Sequence, residues 1–416
     1  MKNEKLLLLG IDTATRFILE DARKKGIYTI ITDPRDLSMA PLKASADEGW
    51  DLDVGDLDGL EKKCRESGVT AVMAGNHEFC LDHTKKLAKR LGLPFYAGDT
   101  CWSIARNKLR FKQMCLESGL KVAKDYQPGD AICYPVIVKP SDSSASRGIT
   151  EVYEEKNLQA ACEKALSFSD NKKLVIEQLL RGREIMFTGY MDQDQYHILM
   201  VGEILTVSCA GRECLSFAPH SPKRAAWLME KYGKNIRTLF EKMDFHNGLF
   251  ILQGFMEEDG DFYLFESGIR FDGGFTPYLA GKVYGLNPVS WMVDLARGMT
   301  PEIDWSHVDV TSNQKSYAIS CIYCNPGTIT AIEGVDEIAR AEGFEFLLNR
   351  YKVGDKVSDV GNMTQTAYYL HVIADGPEQL VEKVKFCNDT LRILDQEGND
   401  LLIKETEYDE IMASCR

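Results

Sequence analysis

Four groups of residues in this sequence have the types and spacing to handle a phosphorylated ligand. The apolar run Tyr134-Pro-Val-Ile-Val-Lys-Pro140 ends in Lys139 and opens into Ser-Asp-Ser-Ser-Ala-Ser-Arg-Gly148. A lysine at a strand end, followed by a loop of small residues that includes Ser144, Ser146 and Gly148, leaves backbone N–H groups free to cradle phosphate oxygens. An exposed polar hairpin would use the same residues. Next comes Leu174-Val-Ile-Glu177-Gln-Leu179-Leu180, followed by Arg-Gly-Arg-Glu184. An acidic residue at the end of an apolar strand, an apolar linker and a second carboxylate could serve an adenine edge and a pair of ribose hydroxyls; a solvated turn is the plain alternative. Third, Gln253 and Glu266 flank Glu258-Asp259-Gly260-Asp261, a strong hairpin signal. Facing each other across two strands, they could offer oxygen donors to one hard cation such as Mg²⁺. Arg270, four residues beyond Glu266, is placed to fork onto a carboxylate or a transferring phosphoryl group, or to form a buried ion pair. The fourth signal is Lys108, early in the helical run Ala105-Arg-Asn-Lys-Leu-Arg-Phe-Lys-Gln113.

The elements that must position these groups are legible from periodicity. The first hundred residues alternate LLLLG, TRFILEDARKKG, YTIIT, LDGLEKKCRESG, VTAVMAG and TKKLAKRLGLP, the βαβαβα pattern of a parallel sheet. Asp12 or Thr13 is the expected N-cap of the first helix, and Gly26 its stop. The turn Gly10-Ile11-Asp12-Thr13-Ala14-Thr15 lacks the second and third glycines that let a backbone approach a dinucleotide pyrophosphate, which argues against a nicotinamide dehydrogenase. From about Ala105 a helix leads into the strands YPVIVKP, GITEVY and LVIEQLL, with a helix at LQAACEKALSF. Their Gly and Ser turns predict antiparallel pairing. A long helix, AAWLMEKYGKNIRTLFEKM, precedes the strands LFILQGFM and DFYLFES; a helix follows near Pro288 to Gly298. The last hundred residues are strand-rich, with AYYLHVIADG, a helix at PEQLVEKVKF and a closing strand LLIKET.

At about one to two hundred residues per domain, a chain of 416 residues predicts more than one core. A composition with 44% hydrophobic and 27% charged residues is that of a soluble globular protein. Lys plus Arg against Asp plus Glu gives 49 − 63 = −14, a mean field that repels nucleic acid and anionic membranes. The start, MKNEKLLLLGID, has no signal-peptide pattern, and no apolar span reaches the roughly 20 residues a bilayer needs, so a cytoplasmic protein is expected. The only close CxxC, Cys321 to Cys324, lies in a strand where positions three apart face opposite ways, so the 12 cysteines are expected as free, mostly buried thiols. Among the histidines, His220 is the best candidate for a functional role. Asn76-His77-Glu78 follows a strand at the ligand side of the parallel sheet and reads equally as a ligand contact or a helix start with Glu as capping charge.

Taken together, Lys108, Lys139 with its loop, Glu177 to Glu184 and Gln253, Glu266 and Arg270, in this order over roughly 160 residues, resemble the ATP-grasp superfamily. The resemblance implies an α/β and α+β protein in three parts. These are a parallel α/β pre-ATP-grasp domain over 1–104, an ATP-grasp core of two α+β subdomains over 105–300 with a mobile lid at about 115–182, and a β-rich C-terminal subdomain over 301–416. By the same resemblance Lys108 and Lys139 reach the nucleotide phosphates and Ser141 to Gly148 forms the flap. Glu177 and Leu179 contact adenine, Glu184 takes the ribose, Gln253 and Glu266 hold Mg²⁺ (or Mn²⁺), and Arg270 stabilises an acyl phosphate. One departure is Gly268, where many members have a metal-binding Asn; another is Gln253 in place of an acidic residue. Glu-Ser-Gly-Ile-Arg-Phe is similar to the form in dipeptide-forming L-amino-acid ligases, beside a carbamoyl-phosphate-synthase-like branch. The implied activity is ADP-forming ligation of a small carboxylate to an amine (or thiol) with ATP, without nucleic acid or membrane partners, and with a homodimer left open. The alternatives are an ATP-dependent carboxylase, a nucleotide-biosynthesis ligase, or a catalytically silent ATP-binding regulatory protein.

Overall fold

Leu6 to Leu9 are buried on both faces, as the central strand of a parallel sheet must be. This strand, β1 (Lys5–Leu9), is followed by α1 (Thr15–Lys24), β2 (Tyr28–Thr32), β3 (Glu48–Trp50), α2 (Leu57–Ser67), β4 (Ala71–Met73) and α3 (Glu78–Leu91). The sheet runs β3-β2-β1-β4 with every pair parallel, as the alternation predicts. β3 escaped the pattern because it is three residues with a single large apolar side chain, Trp50. Gly26 ends α1 at φ +68° as expected, but the N-cap is Ala14. Asp12 is diverted: its Oδ1 accepts the Ala14 N–H at 3.0 Å and its Oδ2 the Asn76 N–H at 2.6 Å, which ties the turn after β1 to the turn after β4. Gly75 is required there, since a Cβ on it would lie 2.1 Å from Asp12 Oδ1.

This computed structural model describes residues 4–127, 129–141, 148–209, 212–312, 315–358, 365–404 and 407–415. After α4 (Asp99–Ala105), α5 (Lys108–Glu117) starts at Asn107, whose side chain accepts the Arg110 N–H at 3.0 Å. Then come β5 (Lys121–Val122), β6 (Asp125–Tyr126), β7 (Val136–Pro140), β8 (Thr150–Val152), α6 (Leu158–Ser167) and β9 (Leu174–Gln178). β6-β9-β7-β8 form an antiparallel sheet with its own small core of Tyr126, Val136, Val138, Val152, Ala161 and Ala165.

The long strands β10 (Arg183–Asp192) and β11 (Gln195–Glu203) lead to β12 (Leu205–Cys209), β13 (Arg212–Pro219) and α7 (Pro222–Met243). The Asp259-Gly260 turn, with Gly260 at φ +73°, joins β14 (Gly248–Met256) to β15 (Phe262–Gly268) as predicted. The central sheet runs β11-β10-β14-β15-β5. α8 (Thr276–Tyr284) and α9 (Pro288–Ala296) follow.

The remaining elements are β16 (Ser316–Cys324), β17 (Gly327–Thr328), β18 (Ala331–Glu333), α10 (Val335–Arg340), β19 (Phe344–Asn349), β20 (Lys356–Val357), β21 (Thr366–Ala374), α11 (Pro377–Thr390), β22 (Arg392–Leu394), β23 (Leu402–Ile403) and α12 (Tyr408–Ser414). The third large sheet runs β12-β13-β16-β21-β19, so strands on either side of residue 300 share one sheet. Cys321 packs in the large core and Cys324 in the C-terminal one, the opposite-face placement that their spacing predicts. Among the described residues, no helix is long and apolar enough to cross a membrane.

Candidate active site

A cavity of about 1030 Å³ opens between the antiparallel β6–β9 sheet, the central sheet and the third sheet, and Lys108, Lys139, Glu177, Leu179, Glu184, Gln253, Glu266 and Arg270 all line it. Segments separated by well over a hundred residues of chain therefore meet in one place. Gly148 is not among the lining residues; it stands at φ +75°, where a Cβ would come within 2.7 Å of Phe168 Cβ, so it serves the turn into β8. Ser144 and Ser146 lie outside the described residues.

The central sheet sets out the acidic wall. Met186, Gln253 and Glu266 are register partners across β10, β14 and β15, and Glu184, two residues from Met186, shares their face. Burial and the nearby Glu266 charge push the Glu184 carboxyl up to about 7. The Glu266 carboxylate and the Gln253 amide, register partners on adjacent strands, offer oxygen donors that fit a hard divalent cation. Gly268, two residues past Glu266 on the same face, contributes no donor.

The Glu177 reading needs correction. Glu177 lines the cavity, but its carboxylate is engaged by Lys139 and, through Oε2 at 2.7 Å, by Lys112. Strand alternation buries it with Val175, and Gln178, Leu179 and Leu180 follow it along the cavity wall. Arg270 is held from behind: its Nε donates to Glu78, and its Nη1 to the Phe271 carbonyl at 2.8 Å. Glu78 is the first residue of α3, and its other oxygen takes Arg106, so the helix-start reading of Asn76-His77-Glu78 holds and Glu78 meets the cavity wall through Arg270. Asn76 Nδ2 donates to Thr13 Oγ1 at 2.9 Å and to the Asp272 carbonyl at 3.2 Å. Both sets of contacts bring the first domain against the loop that follows β15.

His220 is structural. Its Nε2 donates to the Val310 carbonyl at 2.9 Å, leaving Nδ1 to accept the Val201 N–H at 3.2 Å, and the ring stacks on Tyr317 at 4.7 Å. Burial pushes its pKa down to about 4, which keeps it neutral. Residues that the sequence reading missed include Lys112, Glu203, Asp272 and Glu410. Lys112 follows Lys108 by one helical turn, a spacing that could have drawn attention to it. Glu203 is buried between Arg183 at 2.8 Å and Arg224 at 3.3 Å, and Glu410 reaches the cavity from α12, with nothing in the local sequence to announce either.

Residues 113–210 match the family model described as D-ala D-ala ligase C-terminus. The carbamoyl phosphate synthase large chain of Clostridium acetobutylicum is 24% identical over 291 residues, which are 62% of this chain and 26% of that protein. The D-alanine–D-alanine ligase of Geobacillus kaustophilus is 27% identical over 220 residues, 46% of this chain and 57% of that one. The matches thus span from about a quarter to somewhat over half of these relatives' lengths. The crystal structure of L-amino acid ligase from Bacillus licheniformis, at 18% identity, shares the fold with a TM-score of 0.76 over 95% of this chain and 100% of that one. In fold and in sequence the chain is similar to ATP-grasp proteins. Within that superfamily its likeness is to the carboxylate–amine ligases.

Proposed function

We propose that the protein is an ATP-dependent, ADP-forming carboxylate–amine ligase that joins small amino-acid-like substrates through an acyl phosphate. The observation that carries this reading is the meeting of Lys108, Lys139, Glu184, Gln253, Glu266 and Arg270 on one cavity. Phosphoryl transfer asks a protein for positioning and charge neutralisation more than for a nucleophile. Lys108 and Lys139 neutralise phosphate oxygens, and Leu179 and Leu180 offer an apolar edge to a base. Gln253 and Glu266 would hold Mg²⁺, which when bound supplies further neutralisation of phosphate charge, and Glu184 would take the ribose hydroxyls. A substrate carboxylate oxygen attacks the γ-phosphorus as the β–γ bridging bond breaks and ADP leaves. The amine then attacks the acyl carbon, the C–O bond to phosphate breaks, and phosphate and one proton are released. Arg270, pinned through Nε and Nη1, directs its remaining edge at the charge that develops on the acyl phosphate.

The test is Mg²⁺-dependent release of ADP and phosphate against amino acids singly and in pairs, with bicarbonate as a separate acceptor, followed by mass spectrometry. Release that requires two amino acids and yields their summed mass less water is the expected result. Release with bicarbonate alone would replace it with a carboxylase. Gly268 favours one other reading, a nucleotide binder without turnover, for which ATP binding without ADP release is the signature.

A further inference from the structure

A chain of buried charges runs back from Lys139 on the cavity wall to Glu177 and Lys112, and the proposed chemistry uses only the first of them. Lys112 on α5, Glu177 on β9 and Lys139 on β7 have side chains only 8%, 6% and 12% exposed. Glu177 binds Lys139 through Oε1 and Lys112 through Oε2, the latter at 2.7 Å, and Lys112 also takes Asp125 on β6. The two lysines are not equivalent. Lys112 is tethered by two carboxylates, whereas Lys139 pairs with Glu177 among the described residues. Lys139 lines the large cavity, and Lys112 is not among its lining residues. Only one of the two ammonium groups can therefore turn toward a ligand.

A buried carboxylate that loses its sole partner is left as an uncompensated charge, which is strongly unfavourable. A second lysine removes that difficulty. We propose that Glu177 is a holder for the Lys139 ammonium, and that Lys112 is the positioning residue that permits its release. As a nucleotide's phosphates take Lys139, Lys112 stays on Glu177 and keeps that buried carboxylate ionised. The electrostatics agree: burial alone would raise the Glu177 pKa, but the Lys139 and Lys112 charges bring it below the ordinary range. The charged groups facing Glu177 are Lys112, Lys139 and, at longer range, Lys108, with Asp125 on the far side of Lys112. The inference rests on the nucleotide-binding reading given above.

The test is calorimetric titration with ATP at neutral pH in two buffers of unlike ionisation enthalpy, which counts the protons taken up on binding. In Lys112→Met, departure of Lys139 leaves Glu177 unpaired. The variant should take up about one proton more per ATP than the wild type, and its affinity should fall by up to roughly tenfold per pH unit as pH rises. Lys112→Arg should restore the wild-type proton count. Glu177→Gln, which relieves Lys139 of its holder, should bind ATP at least as tightly as the wild type, whereas a carboxylate that reads the adenine edge would lose affinity on the same change. A folded Lys112→Met variant with wild-type affinity and proton count overturns the inference, as does binding weakened tenfold or more in Glu177→Gln. Should Lys112→Met not fold, Glu177→Gln decides alone. Wild-type protein that binds no ATP would remove the nucleotide reading and this inference with it; variants that behave as wild type while the wild type binds would remove this inference only.

Discussion

Glu78 of the first domain and Arg270 at the end of the central hairpin form an ion pair across 192 residues of sequence, and the arginine side chain is only 19% exposed. The pair settles where the guanidinium points, because Nε is committed to Glu78 and Nη1 to the Phe271 carbonyl. A fork so restrained has one free edge, and Arg270 lines the cavity.

Removing the charge at position 78 should therefore disturb chemistry more than binding. Glu78→Gln is expected to reduce turnover by roughly tenfold to a hundredfold, as loss of an orienting partner commonly does, with the KM for ATP little changed. Arg270→Ala should do the same more severely. Equal losses in ATP affinity and turnover in steady-state kinetics would exclude the assignment.

Lys139→Ala should act on the nucleotide itself. One charge-assisted hydrogen bond to phosphate is worth about 2 kcal/mol, so the Kd for ATP should rise roughly thirtyfold. A titration with unchanged affinity would take Lys139 out of the site.

Gly268 offers a gain-of-function test. A Cβ placed there meets Ile251 Cδ1 at 3.2 Å and Arg270 carbons at 3.8 Å, so a side chain fits with a small shift of a flexible methyl group. Gly268→Asn adds an oxygen donor on the face that carries Glu266. At about 1 kcal/mol for one such donor, the Mg²⁺ concentration for half-maximal activity should fall roughly fivefold. A constant or higher requirement would show that the face does not hold the metal.

The buried histidine sets an acid limit on stability. The folded pKa of His220 is lowered to about 4, below the unfolded value of about 6.5. Above the unfolded value the ring is neutral in both states and its contribution is complete. As pH falls from there toward the folded value, the unfolded chain binds a proton that the folded one excludes, and about 3 kcal/mol is lost. His371, buried and lowered in the same direction, adds to the slope. Denaturant melts of His220→Gln should show a flatter pH dependence over that window, and an unaltered slope would contradict the assignment.

The sequence disclosed what has a period or a punctuation mark. The parallel sheet was legible because each strand is a short apolar run closed by a turn, and the β14–β15 hairpin because Asp259-Gly260 sits between two alternating runs. β10 and β11 were hidden: from Met186 to Met191 and from Ile198 to Glu203 nearly every residue is buried, which erases the alternation that marks a strand. The order of Lys108, Lys139, Glu184, Gln253, Glu266 and Arg270 was enough to pick out residues that the structure brings to one cavity. It did not show which way Glu177 turns, since that depends on Lys112 and Asp125 approaching from other elements. Nor did it connect Glu78 to Arg270, because an ion pair between distant segments leaves no spacing to read.

The cavity wall draws on Lys108 near the start of the core and on Glu410 in α12. During synthesis, then, a chain that has not yet added α12 presents a pocket whose wall lacks Glu410. A ligand that reaches Glu410 would accordingly protect the chain from proteolysis more fully when α12 is present than in a truncation that lacks it.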